Sequence, residues 1–147
     1  MKGEDLIMRK ILILNGPNLN MLGVREPVIY GDNNLDSLIN KLKIKFSDIH
    51  ISDYQSNDEG ELIDVIQDYG MRFDGIVFNP GGYAHTSVAI RDAVASVSAR
   101  VLEVHISNIH AREEFRRITI VGGACEAVLS GFGLKGYEMA VEHLIEL

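Results

Sequence analysis

The stretch EVHISNIHAREEFR, residues 103–116, concentrates titratable side chains directly after an apolar run. Its fourteen residues include two histidines, three glutamates and two arginines. Such a set could bind a metal ion, form an acid–base centre, or be only the solvated end of a strand. Glu103 and His105 are two positions apart, so on a β-strand they would share one face, where the carboxylate could orient the imidazole. His110 lies beyond a predicted turn, and we interpret it as a structural or surface residue.

Metal and nucleophilic chemistry are both poorly supported by the spacing of these residues. No H-E-x-x-H or comparable pattern of zinc ligands is present. The candidate ligands of a metal hydrolase would be His85, Glu103, His105 and His110. Cys125 has no basic neighbour in sequence, and among the six lysines only Lys135 could approach the same place, which disfavours a Schiff base. What remains is acid–base chemistry.

Further polar residues follow the other apolar runs. The candidate proton carriers besides His105 are Tyr30 and His85, and the candidate partners are Asn18, Arg25, Asn79, Arg112 and Arg116. A tyrosine, with a reference pKa of about 10, acts as a base near neutral pH only where cations favour the phenolate. Arg25, five residues before Tyr30, could supply that charge. The loop 16–33 that carries both lacks a phosphate-loop pattern, and Pro17 removes a backbone donor, so nucleotide binding is disfavoured.

Alternating strand and helix patterns must position these residues. Predicted strands are KILILN, IHISDY, GIVFN, RVLEVHIS and the weaker EAVLSG, at residues 10–15, 49–54, 75–79, 100–107 and 126–131. Apolar residues at helical spacing predict helices around 35–42, 62–70, 87–97 and 137–145, with Ser56 and Glu59 as a capping box for the second. Strand–helix alternation predicts an α/β fold, a flavodoxin-like three-layer sandwich with a five-stranded parallel sheet. Ligands then bind at the carboxyl ends of the strands.

Composition and charge limit the partners. The 147 residues suit one domain, at 10–147, preceded by a loose extension at 1–9. A net charge of -7 opposes binding to nucleic acid or to an anionic membrane surface, so locally placed arginines must meet any anionic ligand. No apolar run approaches membrane-spanning length, the start does not read as a secretory signal, and the single cysteine suits a reducing compartment. We therefore expect a cytoplasmic protein without nucleic-acid or membrane partners.

Four long blocks, NGPNLNMLGVREPVIYG, QSNDEGELID, NPGGYAHTSVAIRDA and EVHISNIHAREEFR, together with SGFGLKGYEMA, closely resemble the type II 3-dehydroquinate dehydratases. The blocks occur in the same order across about residues 10 to 140. The resemblance implies a flavodoxin-like fold and a lyase without cofactor or metal. Its reaction would be the anti elimination of water from 3-dehydroquinate through an enolate to 3-dehydroshikimate, in the shikimate pathway of aromatic amino acid biosynthesis.

The resemblance also implies roles for individual residues. Tyr30 would remove the C2 proton, Arg25 would stabilise the tyrosinate, and His105 would protonate the departing hydroxyl. Glu103 would hold His105, and Asn18 would position a water at the enolate oxygen. The substrate contacts would be Asn79, His85, Ile106, Ser107, Arg116 and the lid residue Arg112, with Asp92 reaching the site of a neighbouring subunit. The implied assembly is a homododecamer, a tetramer of trimers.

The chain departs from the family pattern in its third block. That block usually reads NPGAYTHTS, whereas this sequence has Gly82 and Ala84, which loses one hydroxyl. The fourth strand is commonly preceded by Pro, where this chain has Ala99 and Arg100. The alternative functions are a flavodoxin-like module that binds a small carboxylate without turnover and, with less support, the metal hydrolase considered above.

Overall fold

The computed structural model describes residues 8–24 and 34–146, and its centre is a parallel β-sheet. The strands are β1 (Lys10–Asn15), β2 (His50–Gln55), β3 (Gly75–Asn79), β4 (Arg100–His105) and β5 (Ala127–Ser130). Their spatial order is β2-β1-β3-β4-β5, and every neighbouring pair is parallel. This is the flavodoxin-like order, so the predicted fold class is confirmed. The fourth strand ends at His105, two residues earlier than its apolar pattern predicts.

Four α-helices alternate with the strands of this part of the chain. They are α1 (Leu35–Lys45), α2 (Glu59–Gly70), α3 (Val88–Ala95) and α4 (Lys135–Ile145). No helix in the described ranges is both long and apolar enough to cross a membrane. The division into an extension at 1–9 and one domain at 10–147 stays a prediction.

The predicted capping box of Ser56 and Glu59 is wrong, because a different residue caps the start of α2. The side chain of Asp58 caps the helix by accepting hydrogen bonds from the N–H groups of Gly60 and Glu61. The hydroxyl of Ser56 accepts instead from the N–H of Asp58. Asp58 directly precedes the first helical residue, Glu59, and its short carboxylate reaches the unpaired N–H groups that a side chain two residues earlier cannot reach.

Two apolar cores sandwich the sheet because successive residues of a strand face opposite sides. In β1, Ile11 and Ile13 face α1 and α4, whereas Leu12 and Leu14 face α2 and α3, and all four side chains are fully buried. The continuous apolar runs in the sequence are therefore strands covered on both faces. This arrangement leaves the carboxyl ends of the strands as the place where polar side chains can gather.

At the opposite end of the sheet, an ionic cluster joins α4 to β4 and β5. Arg100 donates two hydrogen bonds to the carboxylate of Glu126, at 2.7 and 2.6 Å. Nε2 of His143 lies 2.6 Å from the same carboxylate. These hydrogen bonds, first from Arg100 and then from His143, lower the pKa of Glu126 to about 2.

This cluster predicts a loss of stability in acid. Because the folded-state pKa of Glu126 lies below the ordinary value of 4.5, its contribution is complete above about pH 4.5 and is lost as the pH falls towards 2. Glu126→Gln is expected to lower the free energy of unfolding at pH 7 by less than about 1 kcal/mol, because the pair is partly exposed. Urea unfolding at pH 7 and pH 3 measures both effects. The control Glu142→Gln, whose partner Lys45 is 3.6 Å away, should retain the wild-type acid dependence.

Candidate active site

A polar cavity of about 550 Å³ opens at the carboxyl ends of β1, β3 and β4. The residues that line it and that the sequence predicts as site residues are Asn18, Asn79, His85, His105, Ile106, Ser107, Arg112 and Arg116. The apolar part of its wall, which sequence reasoning missed, includes Leu19, Met21, Leu22 and Ile109. The run LNML directly after Asn18 is the signal that could have identified most of this wall.

Glu103 and His105 form a buried pair at the end of β4. Nε2 of His105 lies 2.6 Å from Oε2 of Glu103, and the two side chains are 7% and 0% exposed. The alternation of β4 places both on the side of the sheet that faces α2 and α3, as their spacing predicts. Oε1 of Glu103 is buried and has no hydrogen-bond partner in the described part of the chain. The carboxylate therefore has one strong partner, and Nδ1 is the imidazole nitrogen that can serve the cavity.

His85 stands beside this pair at the end of a 3-10 turn, Gly81–His85. Its ring is stacked against the ring of His105 with 5.9 Å between centroids. Nδ1 of His85 lies 2.8 Å from the carbonyl oxygen of Ile118, so Nδ1 carries a hydrogen and donates it. Nε2 of His85 is then the nitrogen that can accept from, or donate to, a bound ligand.

The loops that follow β1 and β3 touch each other through their backbones. The N–H of Gly16 donates to the carbonyl of Asn79 at 2.7 Å. A Cβ atom on Gly16 would lie 2.6 Å from the carbonyl oxygen of Pro80, and one on Gly81 would lie 2.9 Å from that of Pro17. Gly81 also has φ of +61°, a left-handed conformation. Glycine at both positions lets two walls of the cavity pack directly on each other.

Gly81→Ala is therefore expected to destabilise the protein by at least about 1–2 kcal/mol, the cost of a side chain in the left-handed region, with the contact to Pro17 adding to it. Gly82→Ala is a matched control, because a Cβ atom at Gly82 meets nothing within 4 Å. It also installs the residue usual in the resembling sequences. Thermal or urea unfolding of both variants measures the difference, and equal stabilities would contradict the packing described above.

Asn18 lines the cavity and is held by residues at the end of β2. Its backbone is left-handed, with φ of 73°, and its N–H donates to Oδ1 of Asn57 at 3.0 Å. Gln55 donates to the same Oδ1 at 3.1 Å and to the carbonyl of Gly16 at 3.2 Å. Sequence reasoning identified Asn18 but not Gln55 or Asn57. Gln55 and Asn57 are nearly forty residues from Asn18 in sequence, so the sequence gives no sign of the contact. The pairing of β1 with β2 brings these residues together.

Arg112 and Arg116 bring positive charge to the cavity of an acidic protein. Both lie beside Oε1 of Glu113, with their Nε atoms at 3.6 and 3.1 Å from it. The pKa of Glu113 is lowered by its own backbone N–H and then by the two arginines, so it stays ionised at neutral pH. One carboxylate against two guanidinium groups leaves a local excess of one positive charge. Arg112 also donates to the hydroxyl of Ser107 at 3.4 Å, which connects this segment to the end of β4.

The remaining predicted residues are either outside the described residues or outside the cavity lining. Arg25 and Tyr30 lie outside the described residues, and their roles stay predictions. Asp92 is exposed on α3 and does not line the cavity of its own chain, so its predicted reach into a neighbouring subunit stays open. His110 is exposed and also lies outside the cavity lining. Lys135 lies at the start of α4 and lines a separate hollow between α1 and α4.

Metal binding and nucleophilic catalysis by Cys125 are the two alternative chemistries to compare with this geometry. Across residues 8–24 and 34–146, no group of three or more His, Cys, Asp or Glu side chains is arranged to hold a metal ion. Burial, with a further contribution from the charge of Glu103, raises the pKa of the Cys125 thiol to about 12, so the thiol is protonated at neutral pH. A protonated thiol is a poor nucleophile, in agreement with the sequence argument against Cys125.

Comparisons with known proteins agree with this description. The family model described as dehydroquinase class II matches residues 9–145. The 3-dehydroquinate dehydratase of Bacillus pumilus is 47% identical over 141 residues, which cover 94% of this chain and 95% of the relative. The one of Fusobacterium nucleatum is 50% identical over 142 residues, covering 93% and 97%. The crystal structure of type II dehydroquinase from Butyrivibrio crossotus superposes with a TM-score of 0.88, at 50% identity and with 95% and 99% of the two chains covered. The resemblance seen in the sequence is thereby confirmed, and the chain belongs to the class II dehydroquinase family.

Proposed function

We propose that this chain removes water from 3-dehydroquinate to give 3-dehydroshikimate, a step of the shikimate pathway, by an anti elimination without a cofactor. The observation that carries the proposal is the buried Glu103–His105 pair at a polar cavity with two arginines in its wall. The names of the relatives, 3-dehydroquinate dehydratase, support the same substrate and reaction.

His105 is the proposed general acid. The departing hydroxyl leaves as water when the imidazolium supplies a proton, and the imidazole is then neutral. The Glu103 carboxylate orients the ring through the 2.6 Å contact at Nε2. Imidazole is the side chain that most often serves as a general acid or base near neutral pH.

Tyr30 is the proposed base, and Arg25 its charge partner. The phenolate takes the C2 proton, the electron pair of that C–H bond enters an enolate, and loss of the adjacent hydroxyl forms the double bond. Asn18, whose backbone Asn57 holds, would position a water at the enolate oxygen. These three roles rest on the family resemblance, and the position of Asn18 in the cavity wall supports its part.

The substrate carboxylate is proposed to meet the end of β4. The carbonyl of Ile106 already accepts from the N–H of Gly133, and that of Ser107 accepts from the hydroxyl of Ser130. A carboxylate can only accept hydrogen bonds, so its partners there would be the N–H groups of Ile106 and Ser107 or the Ser107 hydroxyl. Arg116, Asn79 and His85 would hold the rest of the substrate, and Arg112 would belong to the segment that closes over it.

The proposal extends to assembly and location. A homododecamer built from trimers would bring Asp92 of one subunit towards the site of another, which suits its exposed position on α3. A cytoplasmic location is favoured by the single cysteine, which suits a reducing compartment.

The direct test is to add 3-dehydroquinate and follow the absorbance of the conjugated enone in the product. The wild-type chain is expected to produce the signal, and Tyr30→Phe to abolish it while circular dichroism shows an unchanged fold. Near-normal activity of Tyr30→Phe would remove Tyr30 as the base. Binding of 3-dehydroquinate by folded wild-type protein without any enone signal would instead favour a carboxylate-binding module.

A further inference from the structure

Tyr137, on the last helix, is a fully buried tyrosine whose hydroxyl lies between two buried amides. Its hydroxyl is 2.5 Å from Oδ1 of Asn15 and 2.9 Å from Nδ2 of Asn79. Asn15 and Asn79 are themselves only 1% and 4% exposed. This amide–phenol–amide chain of Asn15, Tyr137 and Asn79 lies under the cavity, because Asn79 also lines the cavity wall.

The strand register explains why one phenol reaches both amides. Asn15 ends β1, Asn79 ends β3, and the two are partners in the parallel ladder. Alternation along the two strands puts both side chains on the face that α4 covers. Tyr137 is in the first turns of α4 and packs into the core on that face, so its hydroxyl points at the paired strand ends.

The direction of each hydrogen bond follows from the chemistry of the groups. Nδ2 of Asn79 can only donate, so it donates to the phenol oxygen, and the phenol donates in turn to Oδ1 of Asn15. Oδ1 of Asn79 accepts from the N–H of Gly81 at 3.0 Å. Burial raises the pKa of Tyr137 well above its ordinary value, against the smaller opposite effect of Asn79, so the phenol remains protonated. Both ends of the Asn79 amide are therefore held in one orientation.

We propose that Tyr137 is a positioning residue of the substrate site, which fixes the amide of Asn79 so that its second N–H and remaining lone pair face the ligand. This inference rests on the proposed function, in which Asn79 contacts the substrate. Without the phenol, Nδ2 loses its buried acceptor, and a rotation of the amide that exchanges its oxygen and nitrogen is no longer opposed at that end.

The expected signature is a change in KM rather than in kcat. A contact made equally in the ground state and the transition state alters binding alone. Tyr137→Phe is therefore expected to raise KM for 3-dehydroquinate by about 2- to 10-fold, the range of one hydrogen bond, with kcat within about twofold of wild type. A purely structural role would lower the fraction of active protein, and hence the apparent kcat, without moving KM.

The experiment compares steady-state kinetics of wild type, Tyr137→Phe and the matched control Tyr69→Phe. Tyr69 lies on α2, and its ring packs on Phe73, away from the cavity. The control loses the same hydroxyl and should keep the wild-type KM. An unchanged KM in folded Tyr137→Phe would overturn the positioning role while leaving the proposed function intact.

Two further measurements cover the remaining outcomes. If Tyr137→Phe does not fold, Asn15→Leu replaces it. Without the Asn15 acceptor the buried phenol O–H must turn towards the Asn79 amide, which favours the flipped amide and should raise KM, so an unchanged KM would overturn the positioning role. If the wild-type protein shows no turnover, the proposed function fails, and calorimetry with 3-dehydroquinate decides the inference instead. A weaker Kd in Tyr137→Phe than in wild type would support it, whereas equal Kd values or no binding would overturn it.

Discussion

His105→Gln is expected to lower kcat for 3-dehydroquinate by about 10²- to 10⁴-fold, the usual contribution of a general acid. Glutamine keeps a side-chain N–H that can donate to Glu103, but it has no proton to transfer to the departing hydroxyl. Because the replacement preserves the hydrogen bond inside a buried pair, the fold should be retained. The enone assay gives kcat, and circular dichroism with thermal unfolding checks that the protein remains folded.

His110→Gln provides the matched control, since it makes the same replacement five residues later. His110 is exposed and lies outside the cavity lining, so its variant should show wild-type kcat and KM. Equal activity of the two variants would contradict the assignment of His105 as the acid. A large loss with His110→Gln alone would mean that the wrong histidine had been assigned.

Glu103→Gln is expected to lower kcat by about 10- to 100-fold while the free energy of unfolding holds or rises by about 1 kcal/mol. Activity falls because a neutral amide orients the ring of His105 less firmly than a carboxylate does, since a charge-assisted hydrogen bond is roughly twice as strong as a neutral one. Stability does not fall because an unpaired buried carboxylate oxygen is costlier than an unpaired neutral group, and Oε1 of Glu103 lacks a partner within the described ranges.

A fall in kcat without a fall in the free energy of unfolding distinguishes this prediction from general damage to the protein. Kinetics and urea unfolding on the same preparation provide both values. Glu114→Gln is the control, because it removes one negative charge from an exposed residue of the stretch 103–116. It should leave kcat and the free energy of unfolding unchanged. A Glu103→Gln protein that is markedly less stable would show that the carboxylate is mainly structural.

Much of the fold could be predicted from local patterns. The continuous apolar runs ILIL and GIVF indicated strands covered on both faces, and helical spacing indicated the helices between them. The N-cap of α2 was predicted wrongly because two possible capping side chains are two residues apart. Asp58, rather than Ser56, forms the cap. The end of β4 at His105 was missed by two residues because Ile106 continues the apolar pattern. The carbonyls of Ile106 and Ser107 instead accept hydrogen bonds from the N–H of Gly133, after β5, and from the hydroxyl of Ser130, the last residue of β5.

The candidate site was predictable only in part, for physical reasons. Glu103 and His105 are two residues apart, so strand alternation alone predicts that they meet. The contacts of Asn18 with Asn57 and of Asn79 with Tyr137 join residues 39 and 58 positions apart, and they depend on strand register and helix docking. Asn15 ends a predicted strand and Tyr137 begins a predicted helix, and only packing shows that they form a polar chain with Asn79.

The two faces of the sheet support different parts of the site. Glu103 and His105 belong to the layer packed by α2 and α3, whereas Asn79 and Tyr137 belong to the layer packed by α1 and α4. The sheet lies between these two layers, which are on its opposite faces. Substitutions that loosen the layer of α2 and α3 should therefore disturb His105, and those that loosen the layer of α1 and α4 should disturb Asn79. The acid and this one substrate contact can thus be altered separately, through residues that never touch the substrate.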